Sequence, residues 1–269
     1  MKKYIIWLVI MATIEIALSL YLTVWREHFW NAVSQKESVS FLYQICIFLG
    51  VALVIGFVIG VSGYLVSLAA IEWRKKLNAK IVDVPDILNA NQRIQEDCKE
   101  YPDLFLRLSF EFAKAMCSLV VFSVFLVLTF SWVYLAILIG YCLIGTGIAH
   151  RVAKPLIKLN YESQQAEATY RNNLKISNLT DCIMIMFGLA KKQKHLTYFQ
   201  QFYGQVGVLI PIVIIAPYYF SSAMTIGLLM RFNSMAVTII ENTSYGINVF
   251  DRINRLISCR QRLKEINLL

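Results

Sequence analysis

Residues 132–174 limit most strongly what this chain can fold into. An apolar run over residues 132–149 passes without an obvious helix stop into a polar segment that reaches Leu174. About 18 apolar residues with a rise of about 1.5 Å each extend roughly 27 Å, close to the hydrocarbon thickness of a bilayer. The polar continuation must therefore project into water. The pattern predicts one long helix that crosses a membrane and extends beyond it, which favours a transporter half over a channel or an enzyme.

The composition also assigns the chain to a membrane. Hydrophobic residues make up 58% of the sequence, whereas a soluble domain contains about 45–50% apolar residues. The net charge of +9 could suggest a nucleic-acid partner, but the basic residues form no single stripe and no nucleic-acid module is recognisable. The six cysteines include no CxxC pair, so neither a zinc site nor a disulfide framework is supported. We expect no cofactor and no metal.

Six apolar runs are interpreted as membrane spans, and the fold class is predicted to be an all-α membrane protein with a single transmembrane domain over residues 1–269. The polar segments between the spans are predicted to be helical extensions in the cytoplasm, and residues 25–40 to be an outer loop on the membrane interface, because they contain aromatic residues typical of that depth. The predicted spans are 4–24, 41–70, 110–130, 132–150, 206–220 and 224–240, and the predicted extensions are 72–109, 151–205 and 241–269.

The basic residues predict the orientation of these spans. Of the 26 Lys and Arg residues, all except Arg26, Lys36 and Arg231 lie in or next to segments predicted to be cytoplasmic. By the positive-inside rule, both termini are expected in the cytoplasm. Glu15 interrupts the first apolar run and no small-x-small site precedes Trp25, which favours a retained span over a cleaved signal peptide.

Charged residues inside the predicted spans are the first candidates for function. Glu15 lies about 11 residues into the first span, roughly 16 Å deep, where an ionisable group costs about 2.5–3.5 kcal/mol and by default marks an internal pathway. The alternative is a protonated carboxyl that bonds to a neighbouring helix. Glu111 and Lys114 are expected to pair with each other, since they are three residues apart on a helix. Arg231 in the sixth span is expected to snorkel to the outer interface or to bind an acidic group of a substrate.

Two further segments have local signals. Asn89 and Gln92 fit a capping pair, so residues 89–97 are predicted to be a loop that enters a short helix. Pro211 and Pro217 lie within the fifth span, where interior prolines free backbone carbonyls and bend a helix.

Several short motifs of the chain resemble those of the SbmA/BacA peptide-antibiotic transporters, which are relatives of the membrane half of ABC exporters. Ile14-Glu15-Ile16 resembles that family's acidic position in its first core helix, and residues 25–35 resemble the segment that follows. The likeness covers nearly the whole chain. The other motifs that occur in the same order are Gln92-Arg93-Ile94-Gln95-Glu96-Asp97, Gly145-Thr146-Gly147, Glu167-Ala168-x-Tyr170-Arg171-x-x-Leu174 and Thr225-Ile226-Gly227-Leu228.

The resemblance implies a homodimer in which six long helices per chain enclose a shared cavity, and uptake of peptides or other bulky solutes driven by the proton gradient. Some positions depart from the family: Asn160 and Asn173 replace carboxylates, Arg255 replaces an acid, and asparagine cannot relay a proton. The chain is also expected to start at the first core helix, without the family's additional N-terminal segment. No GxxxxGK[ST] motif occurs in these residues, so an ATPase would be a separate chain.

Three hypotheses follow, none of them an enzyme. The first is a proton-coupled importer of peptides or other bulky solutes, with Glu15 and Glu167 as proton carriers and Arg171 as the partner that resets them. For Glu167 the alternative is a solvated surface residue. Glu111, Glu241 and Glu162 would contribute only if they face the cavity.

The second hypothesis is the membrane subunit of an ABC transporter whose ATPase is a separate chain. Residues 176–185 and the motif that contains Gln92, Arg93, Glu96 and Asp97 would then be coupling helices that dock on that subunit. The third hypothesis is a shortened relative that does not transport and serves as a scaffold in the membrane.

Overall fold

A computed structural model describes residues 2–80, 90–173 and 176–265, and within these residues the regular secondary structure is helical. The eight helices are α1 (Lys2–Ser34), α2 (Ser38–Asn78), α3 (Ala90–Thr129), α4 (Trp132–Asn173), α5 (Ile176–Phe220), α6 (Ile226–Thr243), α7 (Tyr245–Asn248) and α8 (Phe250–Glu265).

The described residues contain five helices that are long and apolar enough to cross a membrane. They are Lys3–Ser34, Ser38–Asn78, Gln95–Thr129, Trp132–Val152 and Leu179–Phe220. The helix α6 has 18 residues and is not among them, so the sixth span stays a prediction. Its side chains Phe232, Met235 and Ile239 are buried against other helices, which explains why its opposite face carries polar residues.

The main apolar core lies between α3, α4, α5 and α6. It is built around Phe122, Leu138, Ile215 and Phe232. The turns at residues 35–37, 130–131 and 221–225 all lie at one end of the bundle, which we call the hairpin end, because consecutive helices run in opposite directions. We call the opposite end, where α2 ends and α3 packs on α8, the stem end.

The first helix is longer than predicted. The segment after Trp25 was expected to be an outer loop, but α1 continues to Ser34, and the connection to α2 is a short turn with Lys36 in the left-handed region at φ 57°. The aromatic residues explain the difference. The Trp25 ring packs on Phe29, with centroids 5.0 Å apart, and on Phe48 of α2 at 4.9 Å, so these side chains hold a helix pair together instead of a loop.

The third helix also differs from the prediction. A separate short helix was expected around residues 89–97, but residues from Ala90 onward belong to one helix of 40 residues with Pro102 inside it; Asn89 lies outside the described residues. Packing explains the continuity, because Cys98 and Tyr101 are buried together with Leu77 of α2 and residues of α8.

The fourth and fifth helices form a long antiparallel pair. The continuous helix predicted to start at Trp132 is confirmed, since α4 runs for 42 residues to Asn173. Residues 176–185, expected to be a coupling helix if an ATPase subunit docks there, lie within α5, which begins at Ile176 and continues for 45 residues with Pro211 and Pro217 inside it. Residues 174–175 lie outside the described part of the chain.

Candidate translocation cavity

A cavity of about 430 Å³ lies between α1, α3 and the junction of α6 with α7. It brings together three acids that the sequence predicted as pathway candidates, Glu15, Glu111 and Glu241, with Lys114 among them. The other lining residues are Ile16, Ser19, Ala115, Ser118, Thr238, Asn242 and Tyr245. Helical spacing explains the α3 contribution, because residues three and four apart lie on one face of a helix.

Glu15 is held in an ion pair between two helices. Its Oε1 accepts a hydrogen bond from Lys114 Nζ of α3 at 2.8 Å, and the Glu15 side chain is only 15% exposed. The sequence had predicted that Lys114 pairs with Glu111 along α3. Instead, each of these residues pairs with a different helix. Because both partners are largely shielded from water, the pair lowers the cost of an acid at this depth.

Glu111 is bound to α8 and to α7. Arg252 donates from Nη1 and Nη2 to its two carboxylate oxygens at 3.1 and 2.8 Å, and the Tyr245 hydroxyl donates to it at 3.1 Å. Burial, followed by the charge of Glu111, raises the pKa of Tyr245 to about 12. The phenol therefore keeps its proton at neutral pH and serves as a donor to the carboxylate.

Glu241 is the cavity acid without a bonded partner in the described residues. No hydrogen bond or ion pair reaches its carboxylate from residues 2–80, 90–173 or 176–265, and the cation that acts on it through charge is Arg26. The Arg26 guanidinium instead donates to the hydroxyl of Ser234, two turns away on α6. Glu241 is therefore the carboxylate most available to a cation or a proton that enters the cavity.

Arg231 lies away from this cavity, at the hairpin end. Its Nη1 donates to Glu27 Oε2 of α1 at 2.9 Å, and the two side chains are 18% and 23% exposed. An acid on the neighbouring helix therefore neutralises Arg231 within the bundle, and its snorkelling to the outer interface stays a prediction.

Two of the motifs that resembled a known family meet beside this ion pair. Asn31 Oδ1 of α1 accepts a hydrogen bond from the Gly227 backbone N–H at 3.0 Å. A Cβ added to Gly227 would lie 2.2 Å from the backbone oxygen of Glu27, so only glycine allows this close approach. Thr225 caps α6 by accepting a hydrogen bond from Leu228 N at 3.2 Å. The motif at residues 225–228 thus sets the contact between α1 and α6.

The acid of the predicted coupling motif has a role at the stem end. Asp97 is buried, and Arg262 of α8 binds it through three hydrogen bonds of 2.7 to 3.1 Å. The bond to Asp97 raises the pKa of Arg262 above its usual value. Glu96 is exposed on the same helix, while the side chains of Gln92 and Arg93 lie outside the described residues.

The second predicted proton carrier lies on α4, in its last two turns. The backbone of Glu167 and Arg171 is helical, but their side chains, like those of Asn160 and Asn173, lie outside what the structure describes. Their proposed roles stay predictions. Arg255 is exposed on α8.

Sequence reasoning missed four partners of the cavity acids: Lys114 for Glu15, Arg252 and Tyr245 for Glu111, and Arg26 near Glu241. A signal existed for the first, since a lysine inside an apolar run needs a buried acid on another helix. No local signal linked Arg252 to Glu111, because they are 141 positions apart. In the residues that the structure describes, no group of three or more His, Cys, Asp and Glu side chains could hold a metal ion.

The long apolar helices and the charged cavity between them are those of a membrane transport protein. Residues 2–181 match the family described as ABC transporter transmembrane region 2. The chain belongs to this family, which confirms the predicted ABC-exporter-like transmembrane domain, and it is a multi-pass membrane transporter component.

Several relatives bear names of ABC transporter proteins. The chain is 26% identical to the inner membrane ABC transporter ATP-binding protein YddA of Escherichia coli, over 94% of this chain and 54% of that protein. It is 22% identical to the chloroplastic ABC transporter D family member 2 of Arabidopsis thaliana, over 89% of this chain and 39% of that protein. The third relative is an ABC transporter ATP-binding protein of Haemophilus influenzae, 24% identical over 83% of this chain and 46% of that protein. The chain spans about half the length of the curated relatives it matches.

Proposed function

We propose that this chain forms the membrane-spanning half of a dimeric ABC-type transporter, and that its cargo passes the cavity between α1, α3 and α6. The observation that carries the proposal is the cavity itself, where Glu15, Glu111, Glu241 and Lys114 line about 430 Å³ inside a bundle of apolar helices. Ionisable groups at membrane depth are costly, so they mark a path for polar cargo.

ATP hydrolysis is the driving force that the relatives favour. Two of the three relatives described above are named ATP-binding proteins, and the chain spans about half of their length. The 269 residues contain no GxxxxGK[ST] loop, so the ATP-binding module that we propose is not encoded in them. Transport would then be coupled to the closure of two ATP-binding modules on the cytoplasmic side of a pair of these chains.

Proton-driven import of peptides or other bulky solutes, as in the SbmA/BacA transporters that the chain resembles, is the second candidate. It is supported by the state of the cavity acids. Glu15 is ion-paired, whereas Glu241 has no bonded partner among the described residues, so protonation would act differently on the two. Protonation of Glu15 would release Lys114, and loss of the proton would restore the pair. Glu167 and Arg171 would extend this path along α4.

Both candidates use a homodimer in a bacterial inner membrane with cytoplasmic termini. Exposed apolar side chains on α2 support a lipid or protein neighbour there; Leu53 is 75% exposed and Phe57 is 70% exposed. Such a surface is unfavourable in water.

The test is uptake of a fluorescent peptide into proteoliposomes that contain the protein purified from its own membrane with any bound partner. Uptake is measured with ATP, with an imposed pH gradient, with both and with neither. We expect uptake that requires ATP and persists without the gradient. Uptake driven by the gradient alone would favour the second candidate, and no uptake in any arm would favour the non-transporting relative.

Glu241→Gln is the matched variant for the cavity. It removes the charge of Glu241 and keeps the shape of its side chain. We expect it to lower uptake about tenfold or more, because the contact between cargo and this carboxylate would lose its charge. Glu37→Gln is the control, because Glu37 is an exposed acid in the turn before α2 and does not line the cavity. Equal uptake by wild type and Glu241→Gln would remove this cavity from the cargo path.

A further inference from the structure

The backbone between α6 and α7 departs from helical geometry at one residue, Ser244, with φ −88° and ψ 9°. An α-helix has ψ near about −42°, so the chain turns slightly at this point. The cavity acid Glu241 lies three residues before this turn, and Tyr245, which also lines the cavity, follows it directly. Ser244 therefore lies between two residues that line the cavity.

Ser244 and Tyr245 are bonded to opposite neighbours. The hydroxyl of Ser244 shares a hydrogen bond of 2.9 Å with the hydroxyl of Tyr203 on α5. The hydroxyl of Tyr245 instead binds Glu111 at 3.1 Å and the Leu108 carbonyl at 3.4 Å, both on α3. The junction is thus tied to α5 through one residue and to α3 through the next.

Tyr203 is fixed firmly on the α4–α5 side. Its ring is stacked on Tyr141, with centroids 4.8 Å apart and planes 6° apart, and the Tyr141 hydroxyl donates to the Tyr203 backbone oxygen at 2.7 Å. A Cβ added to Gly145 would lie 2.1 Å from the Tyr203 ring. The glycine therefore leaves the space that the ring fills, and Tyr203 has little freedom to move alone.

We propose that Tyr203 is a positioning residue for the cavity: through its bond to Ser244 it transmits the position of the α4–α5 pair to the segment that carries Glu241 and Tyr245. The hydroxyl of Tyr203 is not part of the cavity lining, so it acts on the cavity through Ser244. The proposal rests on the proposed function in one respect, namely that this cavity is the cargo path.

The experiment measures how fast a cationic methanethiosulfonate reagent modifies cysteines in the cavity, in membranes without cargo, ATP or a pH gradient. The exposed native cysteines Cys46 and Cys117 are first replaced by serine. A cysteine at Asn242 reports on the junction, and a cysteine at Ser19 of α1 reports on the opposite wall of the same cavity. Because no transport is measured, failure of this proposal is distinguishable from failure of the proposed function.

Tyr203→Phe keeps the stacked ring and removes the hydroxyl, and Ser244→Ala removes the other partner. We expect each to change the modification rate of Asn242→Cys by roughly three- to tenfold, the equilibrium worth of one hydrogen bond. The double variant should change it no further, Ser244→Thr should restore the wild-type rate relative to Ser244→Ala, and Ser19→Cys should be unaffected. Tyr134→Phe, which removes a hydroxyl nearer the hairpin end of α4, is the control.

Unchanged modification of Asn242→Cys in both variants would overturn the proposal. Equal changes at Asn242→Cys and Ser19→Cys would overturn it as well, since they would indicate general loosening of the bundle. Additive effects of the two substitutions would also contradict it, because two partners of one bond do not act independently. If Tyr203→Phe does not accumulate in membranes, the modification rates of Asn242→Cys in Ser244→Ala and Ser244→Thr alone decide whether the proposal holds.

Discussion

The two ends of the helix bundle hold neighbouring helices together by different means. At the hairpin end, α1 and α6 come into backbone contact at Gly227, and the Glu27–Arg231 pair lies beside it. At the stem end, α3 and α8 are joined through long side chains, by Arg262 on Asp97 and by Arg252 on Glu111. The hairpin end therefore includes a contact that requires the absence of a side chain, and the stem end adds arginine–carboxylate pairs to the apolar cluster around Cys98 and Tyr101.

This difference predicts how each end of the bundle responds to a substitution. A close backbone contact cannot adjust, because every added atom must displace a neighbouring helix. An arginine–carboxylate pair allows some relative movement of its helices, but it leaves a costly charge behind when one partner is removed. Glu111 of the second stem-end pair also lines the cavity, so the cavity borders the stem end of the bundle.

The largest expected effect is at Asp97. Asp97→Ala should lower the free energy of unfolding by about 3 kcal/mol, because it removes the buried carboxylate and with it three charge-assisted hydrogen bonds from Arg262, whose own side chain is 35% exposed. Thermal unfolding in detergent, followed by circular dichroism, measures this. Adding Arg262→Met should recover part of the loss, and the exposed control Arg260→Gln should change the value by less than about 0.5 kcal/mol. A double variant as unstable as Asp97→Ala would contradict the importance of charge here.

The next effect is at Gly227. Gly227→Ala should cost about 1–3 kcal/mol, since the new Cβ meets a backbone oxygen of α1 and the helices must separate. The control is Gly147→Ala, where a Cβ would have no neighbour within 4 Å, and a helix usually gains about 1 kcal/mol from this change. The same thermal measurement applies. If both variants are equally stable, the close contact at the hairpin end is not required.

A smaller effect is expected from the ion pair beside this glycine. In a double-variant cycle with Glu27→Gln and Arg231→Met, the coupling free energy should be about 1 kcal/mol, as for residues in direct contact. Chemical unfolding of the four proteins supplies the values. Strictly additive single effects would mean that the close backbone contact holds α1 and α6 together without help from the charges.

The effect that is smallest at neutral pH concerns the hydroxyl of Tyr245, on the stem side of the cavity. Burial and then the charge of Glu111 raise the pKa of Tyr245 from its ordinary value near 10 to about 12. Between these values the folded protein retains a proton that the unfolded chain has lost, so the free energy of unfolding falls as pH rises through this window. The difference in tyrosinate absorbance between wild type and Tyr245→Phe should have its midpoint near the raised value; a midpoint at the ordinary value would contradict the contact with Glu111.

The sequence allowed three acids of the cavity to be selected, but it did not indicate which residues they pair with. Glu15, Glu111 and Glu241 could be selected from the sequence because each is an acid in or beside an apolar run, where its cost must have a reason. The expected Glu111–Lys114 pair was wrong, because spacing along one helix says only that two groups can meet. Whether they do depends on Arg252 and Glu15, which other helices bring to the same place.

The sequence by itself determined the long apolar helices and the membrane environment, because these depend on local composition and on the fixed rise of a helix. It did not determine where helices end: Trp25 and Asp97 lie in segments expected to form a loop or a short helix, and both lie within long ones. Tertiary structure decided where those helices end, how closely Gly227 approaches the backbone of α1, and which residues the charged side chains pair with. The physical reason is that burial and ion pairing depend on atoms far apart in the chain, which no local pattern records.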